Sequence, residues 1–124
     1  MNVKKVCEID LPLPESRNRQ HSKHWGIYKR KKQEWEDIGF YEVQRQNLNA
    51  LKIRRAILHF EFFFKGRRRD LDNYFCSYEV KGLIDGVAKA LSIDDSFNKL
   101  SISVEGKKAD FDGLKVTVFI EEVG

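Results

Sequence analysis

Ile53-Arg-Arg-Ala-Ile-Leu-His-Phe-Glu-Phe-Phe-Phe64 is the stretch that decides the fold. Ala56, Leu58, Phe60, Phe62 and Phe64 fall on one parity, and Arg55, Ile57, His59, Glu61 and Phe63 on the other. A period of two sends successive side chains to opposite faces of a strand, so the stretch predicts a central strand with one wholly apolar face. Lys65-Gly66 ends it. His59 belongs to the outward set, where a lone strand histidine is expected to be structural.

Upstream, Val6 to Leu11 predicts a first strand closed by Pro12 and Pro14. A loop is expected from Glu15 to Lys32. Lys32 to about Leu48 predicts the first helix, with Trp35, Ile38 and Tyr41 at three-residue steps and Phe40 beside them. Downstream, Val80, Leu83, Ile84, Val87, Ala88 and Leu91 carry helical spacing and predict a second helix within Asp72 to Leu91. Leu100, Ile102 and Val104 alternate, Gly106 to Gly113 is read as a turn, and Leu114, Val116, Val118 and Ile120 alternate back, predicting a terminal hairpin. The expected order is β-α-β-α-β-β, an α+β fold in one domain over residues 1–124, with helices packed on a mixed or antiparallel sheet.

A chain of 124 residues is long enough for one modest core. With 41% hydrophobic residues and nine Phe, wholesale disorder is excluded, and no apolar run approaches the length of a membrane helix. The charged segment after Met1 lacks a secretory pattern, so a cytoplasmic location is expected. Cys7 and Cys76 lack Cys-x-x-Cys spacing, which argues against a disulfide framework or a zinc site, and both are expected as buried thiols.

Charge is unevenly spread. Residues 1–69 hold 17 Lys+Arg against 8 Asp+Glu, a balance of +9, whereas residues 70–124 hold 6 against 11, a balance of −5. A basic half suits phosphate contact and an acidic half suits cation binding. Arg17, Arg19, Lys23, Lys29, Arg30, Lys31 and Lys32 are interleaved with Trp25 and Tyr28, a mixture that fits a nucleic-acid-binding loop. The same two aromatics also suit anchoring of that loop to the core.

The chemistry concentrates after the central strand, in Arg67-Arg68-Arg69-Asp70-Leu71-Asp72-Asn73, with a second acidic pair at Asp94-Asp95. Magnesium prefers carboxylate oxygens and is held by a few acidic side chains together with substrate phosphate. Residues two apart at a strand end point the same way, so Asp70 and Asp72 are expected to share or bridge ions. Two such ions activate water and stabilise the leaving oxygen in phosphodiester hydrolysis, and Lys81 would add positive charge to the transition state. The ordinary alternatives are Asp72 as a helix cap, Asp94-Asp95 as a turn and the arginines as surface charge.

At these residues the chain resembles the RusA family of Holliday junction resolvases, found in phages and prophage-bearing bacteria. The matching motifs are Leu11-Pro-Leu-Pro-Glu-Ser-Arg-Asn18, Arg69-Asp70-Leu71-Asp72-Asn73, Lys81-Gly-Leu-Ile-Asp85-Gly and Asp94-Asp95. The resemblance implies a homodimeric endonuclease that uses Mg2+, with Mn2+ as the substitute ion, to nick four-way DNA junctions symmetrically. It implies Asp70, Asp72 and Asp95 as metal-binding catalytic carboxylates, with a helical lysine assisting. The usual place of that lysine is occupied by Cys76, and Lys81 takes the role only if residues 74–80 contain an insertion. Backbone contacts to the junction would come from the basic loop and from Arg67, Arg68 and Arg69. Two rivals stand beside this reading: a related nuclease acting on other branched DNA, and a non-catalytic junction-binding protein of the same fold.

Overall fold

The structure is a computed structural model that describes residues 3–16, 25–48, 51–66, 70–93 and 99–123. Its elements are β1 (Val3–Leu11), α1 (Trp25–Gln44), β2 (Ile53–Lys65), α2 (Leu71–Phe75), α3 (Tyr78–Ala90), β3 (Leu100–Ala109) and β4 (Gly113–Glu122). The four strands form one sheet in the order β1-β4-β2-β3. β4 is antiparallel to β1 and to β2, whereas β3 is parallel to β2, so the sheet is mixed and the fold is α+β as expected.

The expected central strand is central. Ala56, Leu58, Phe60, Phe62 and Phe64 are at most 1% exposed, facing Val80, Leu83, Val87 and Leu91 of α3 and its end within one core. The terminal hairpin is not formed. β3 and β4 do lie antiparallel, but β2 is inserted between them and takes hydrogen bonds from both. The link from Asp110 to Asp112 therefore crosses the end of β2, a span of roughly 10 Å or two strand spacings. Asp112 closes that crossing by accepting the Lys65 N–H at 2.8 Å. Gly106, expected in a turn, lies within β3.

The first helix begins seven residues earlier than its apolar pattern suggested and ends at Gln44 rather than about Leu48. Trp25 to Lys32 is thus helical, not loop. The stripe it buries is Tyr28, Trp35, Gly39 and Val43, spaced at sevens and fours on one face. Tyr41 is 62% exposed, against expectation, and Phe40 lies under the Lys89 ammonium at 5.6 Å.

The second helical region is two helices. Cys76 caps the end of α2, and Ser77 starts α3 by accepting the Val80 N–H at its hydroxyl. α3 then closes with Ser92 at φ 55°. Its N–H donates to the Lys89 carbonyl and that of Ile93 to the Ala88 carbonyl, a Schellman arrangement. α1 and α3 press against each other through glycines: a methyl group on Gly86 would sit 2.0 Å from the Glu36 carbonyl oxygen, and one on Gly82 would sit 2.2 Å from that of Lys32.

Of the two cysteines, Cys7 is buried, and burial pushes its thiol up to about 11. Cys76 is exposed, contrary to expectation, because α2 ends at the surface there.

Candidate active site

Where β2 leaves the sheet, the chain turns through Gly66, at φ 77°, towards α2. α2 has only five residues and is held by its aromatic pair, with Phe75 edge-on to Phe60 at 5.4 Å and Tyr74 tilted against Phe64 at 5.2 Å. Leu71 packs over Gly106 of β3, where an added methyl group would come within 3.1 Å of it. These contacts pin α2, and with it Asp70 and Asp72, to the end of the central strand.

Both aspartates are exposed. Their geometry differs from two strand residues pointing the same way. Asp70 is the helix cap, extended at φ −74° and ψ 116°, and its Oδ1 accepts the Asp72 N–H at 3.2 Å. Asp72, a helix cap in the ordinary alternative reading, lies in the first helical turn instead. A carboxylate at each of these positions also favours the helix start, because the first N–H groups of a helix point outward unsatisfied. Asp94, Asp95, Arg17, Arg19, Lys23, Arg67, Arg68 and Arg69 lie outside the described residues.

Lys29 and Arg30 are exposed on the first turns of α1. Lys31 and Lys32 are turned to the protein's own carboxylates, with Lys31 Nζ 3.8 Å from Glu15 and Lys32 Nζ 3.7 Å from Asp85 of α3. Lys81 is exposed at the start of α3 in a groove it shares with Phe75, Cys76, Ser77, Asp85 and Ile102. Neither Asp70 nor Asp72 lines that groove. Between residues 73 and 81 the chain is not one continuous helix: α2 ends at its cap Cys76 and α3 starts from its cap Ser77.

Beside α2 opens a cleft of about 990 Å³, reached by Tyr74, Trp35, Lys31 and the Pro12–Ser16 segment. It contains carboxylates that sequence reasoning missed: Glu15, Glu34, Glu79 and Asp112. Glu79 is only 3% exposed, and its Oε2 accepts the Glu15 N–H at 3.0 Å. Glu15 in turn accepts the Tyr28 hydroxyl at 3.1 Å, and Tyr28 stacks on Tyr78. Tyr28 thus anchors the core end of the basic segment, one of the two roles open to it. The sequence signal that could have found Glu79 is a charged residue at the start of an otherwise apolar helix face.

A second group of potential ligands lies on the face of the sheet away from the helices. His59, Glu61 and Glu105 offer ligand atoms that all fall within 4.8 Å of one another. Lys107 occupies the same space, with its ammonium 2.6 Å from Glu61 and 3.7 Å from Glu105. This holds the Glu61 carboxyl below its usual value and raises the Lys107 ammonium, each mainly through their shared hydrogen bond. His59 is bonded on both ring nitrogens, to Ser103 at 2.6 Å and to Glu105 at 3.2 Å. The group is a closed ion-pair network, in keeping with a structural His59.

No protein-family model matches the chain, and no curated protein matches it either. Among the described residues no helix is long and apolar enough to cross a membrane.

Proposed function

We propose that the chain is a RusA-like, Mg2+-dependent, structure-selective DNA endonuclease of the cytoplasm, acting as a homodimer on four-way junctions. One observation carries the reading. Two exposed carboxylates lie within a single helical turn at the exit of the central strand, directly after three arginines, on a helix locked to the core by Tyr74 and Phe75. A rigid base holds hard oxygen donors at the surface, which suits a small hard cation that keeps part of its water shell.

In this reading Asp70 and Asp72, with Asp95 from the later acidic pair, hold the ions. Bound Mg2+ would supply activated water and neutralise charge on the cleaved phosphate. The protein's own contribution is placement. Asp70 is fixed by its bond to the Asp72 N–H, and Arg67, Arg68 and Arg69 would draw the phosphate backbone to the same end of β2. Lys29 and Arg30, exposed on α1, extend the cationic surface without reading bases.

The decisive measurement is nicking of a labelled four-way junction with Mg2+ by the Asp70→Asn and Asp72→Asn variants. Each should lose at least about 100-fold in cleavage rate, corresponding to several kcal/mol of lost charge stabilisation, while still retarding the junction on a gel. Undiminished cleavage by either variant removes that residue from the site. A wild-type chain that binds the junction but never nicks it would replace the enzyme with a binding protein of the same fold.

A further inference from the structure

The last residue of the central strand is held by a side chain where one of its ladders runs out. Ala56 donates its N–H to the Lys99 carbonyl on the β3 side, and both ladders of β2 are regular from Ala56 onward. Alternation therefore turns the N–H groups of odd-numbered residues, Lys65 among them, towards β4. On that side the ladder ends earlier, at Phe63 with Gly113, the first residue of β4. Continued in register it would offer Lys65 the Phe111 carbonyl, but there the chain is still crossing over from β3. The Asp112 carboxylate stands in for the missing strand and accepts the Lys65 N–H at 2.8 Å. An ionised acceptor makes a stronger bond than the backbone carbonyl it replaces.

We propose that Asp112 is a positioning residue for the cation site of Asp70 and Asp72, which acts by fixing the Lys65 N–H and so the direction in which the chain leaves the sheet towards both carboxylates. The inference rests on the metal-dependent reading given above and adds to it a residue that touches neither the ion nor the substrate.

Only residues 66–69 separate Lys65 from Asp70, and they begin with Gly66 at φ 77°, a conformation that glycine adopts without steric cost. A glycine imposes no direction of its own, so the orientation at Lys65 has to be set from outside. The far end of this short span is set by α2, through Leu71 over Gly106, Tyr74 against Phe64 and Phe75 against Phe60. Asp112 sets the near end, and it is itself anchored. The neighbouring Phe111 tilts against Phe63 at 5.1 Å and lies over Gly113, where an added methyl group would come within 3.2 Å of the ring. Asp112 also lines the same cleft as Tyr74. Both ends of the span that leads to Asp70 are thus tied to the sheet, which is the support a precise ligand geometry needs.

The test reads Mn2+ binding by the whole chain without DNA, from the decline of the free-ion paramagnetic resonance signal. Asp70→Asn should abolish binding, which assigns the ion to this site. Asp112→Ala should weaken it about tenfold, as expected for a residue that orients metal ligands, with little change in a thermal melt because Asp112 is exposed. Asp112→Asn keeps an oxygen acceptor for the Lys65 N–H and loses the charge, and it should bind Mn2+ as the wild type does. Unchanged binding by Asp112→Ala overturns the proposal. So does equal weakening by Asp112→Asn, which would mean that the carboxylate acts through its charge, and so does binding that survives Asp70→Asn. Mn2+ binding that depends on Asp112 in the expected way, in a chain that nicks no junction, supports the positioning role and removes only the nuclease reading. A wild-type chain that binds no Mn2+ overturns both.

Discussion

The two faces of the sheet obey opposite rules, and β2 belongs to both. Towards the helices it presents Ala56, Leu58, Phe60, Phe62 and Phe64, all essentially inaccessible. Away from them it presents Arg55, His59 and Glu61, each tied to a neighbouring strand: Arg55 to Glu121 at 2.8 Å, His59 to Ser103 and Glu105, and Glu61 to Lys107. The first face discriminates by volume, since close-packed interiors register even one added carbon. The second discriminates by charge pattern, which water and salt soften. Substitutions on the two faces should therefore differ in size and in their response to salt and pH.

The largest effect is expected at Gly86→Ala. Alanine is favoured over glycine in a helix by about 1 kcal/mol, so propensity alone predicts stabilisation. The added methyl group would lie 2.0 Å from the Glu36 carbonyl oxygen, a backbone atom that moves only if α1 and α3 separate. Overpacking of this kind costs about 3 kcal/mol and exceeds the propensity gain. A urea melt should show net destabilisation of about 2 kcal/mol or more. Unchanged or increased stability would mean that the helices do not touch there.

The same contrast explains what the sequence disclosed. β2 was legible because its alternation is strict and its inner residues are large. The partner of β3 was not legible, since alternation reports which face a residue takes and is silent on which strand lies alongside. A link as short as Asp110 to Asp112 suggests a hairpin, and here β2 lies between its two strands. The start of α1 was hidden by charge: Lys29 to Lys32 reads as part of a phosphate-binding loop, although Tyr28 lies seven residues before Trp35 and continues its buried face. At the candidate site, Asp70 and Asp72 announced themselves through spacing, whereas Glu15, Glu79 and Asp112 are isolated carboxylates that only tertiary folding brings to one cleft.

A smaller effect, of opposite sign, belongs to the far end of the same helix. Ser92 adopts a left-handed conformation at φ 55° that a side chain disfavours and glycine accepts freely. Ser92→Gly should stabilise the chain by about 0.5 kcal/mol, the relief being partly offset by the greater freedom of glycine in the unfolded chain. A thermal melt that falls instead would show that the serine side chain contributes more than its backbone costs.

The smallest effect, and the one most easily screened, lies on the open face. Lys107 holds the Glu61 carboxyl below its usual value. A depressed carboxylate binds its proton more weakly when folded than when unfolded, so its contribution is present above the unfolded-state value near 4.5 and fades as pH falls through the lower folded value. Lys107→Met removes the cation and returns Glu61 towards its ordinary titration. Melting temperatures of wild type and variant should then differ most near neutral pH and converge on acidification, with the gap narrowing further in high salt. Glu105 sits directly across from Glu61 in the β2–β3 ladder, so without the lysine two carboxylates face each other and the variant loses more at neutral pH than a lone surface ion pair would. A gap that widens as pH falls would mean that Lys107 acts on this face through packing of its aliphatic stem and not through charge.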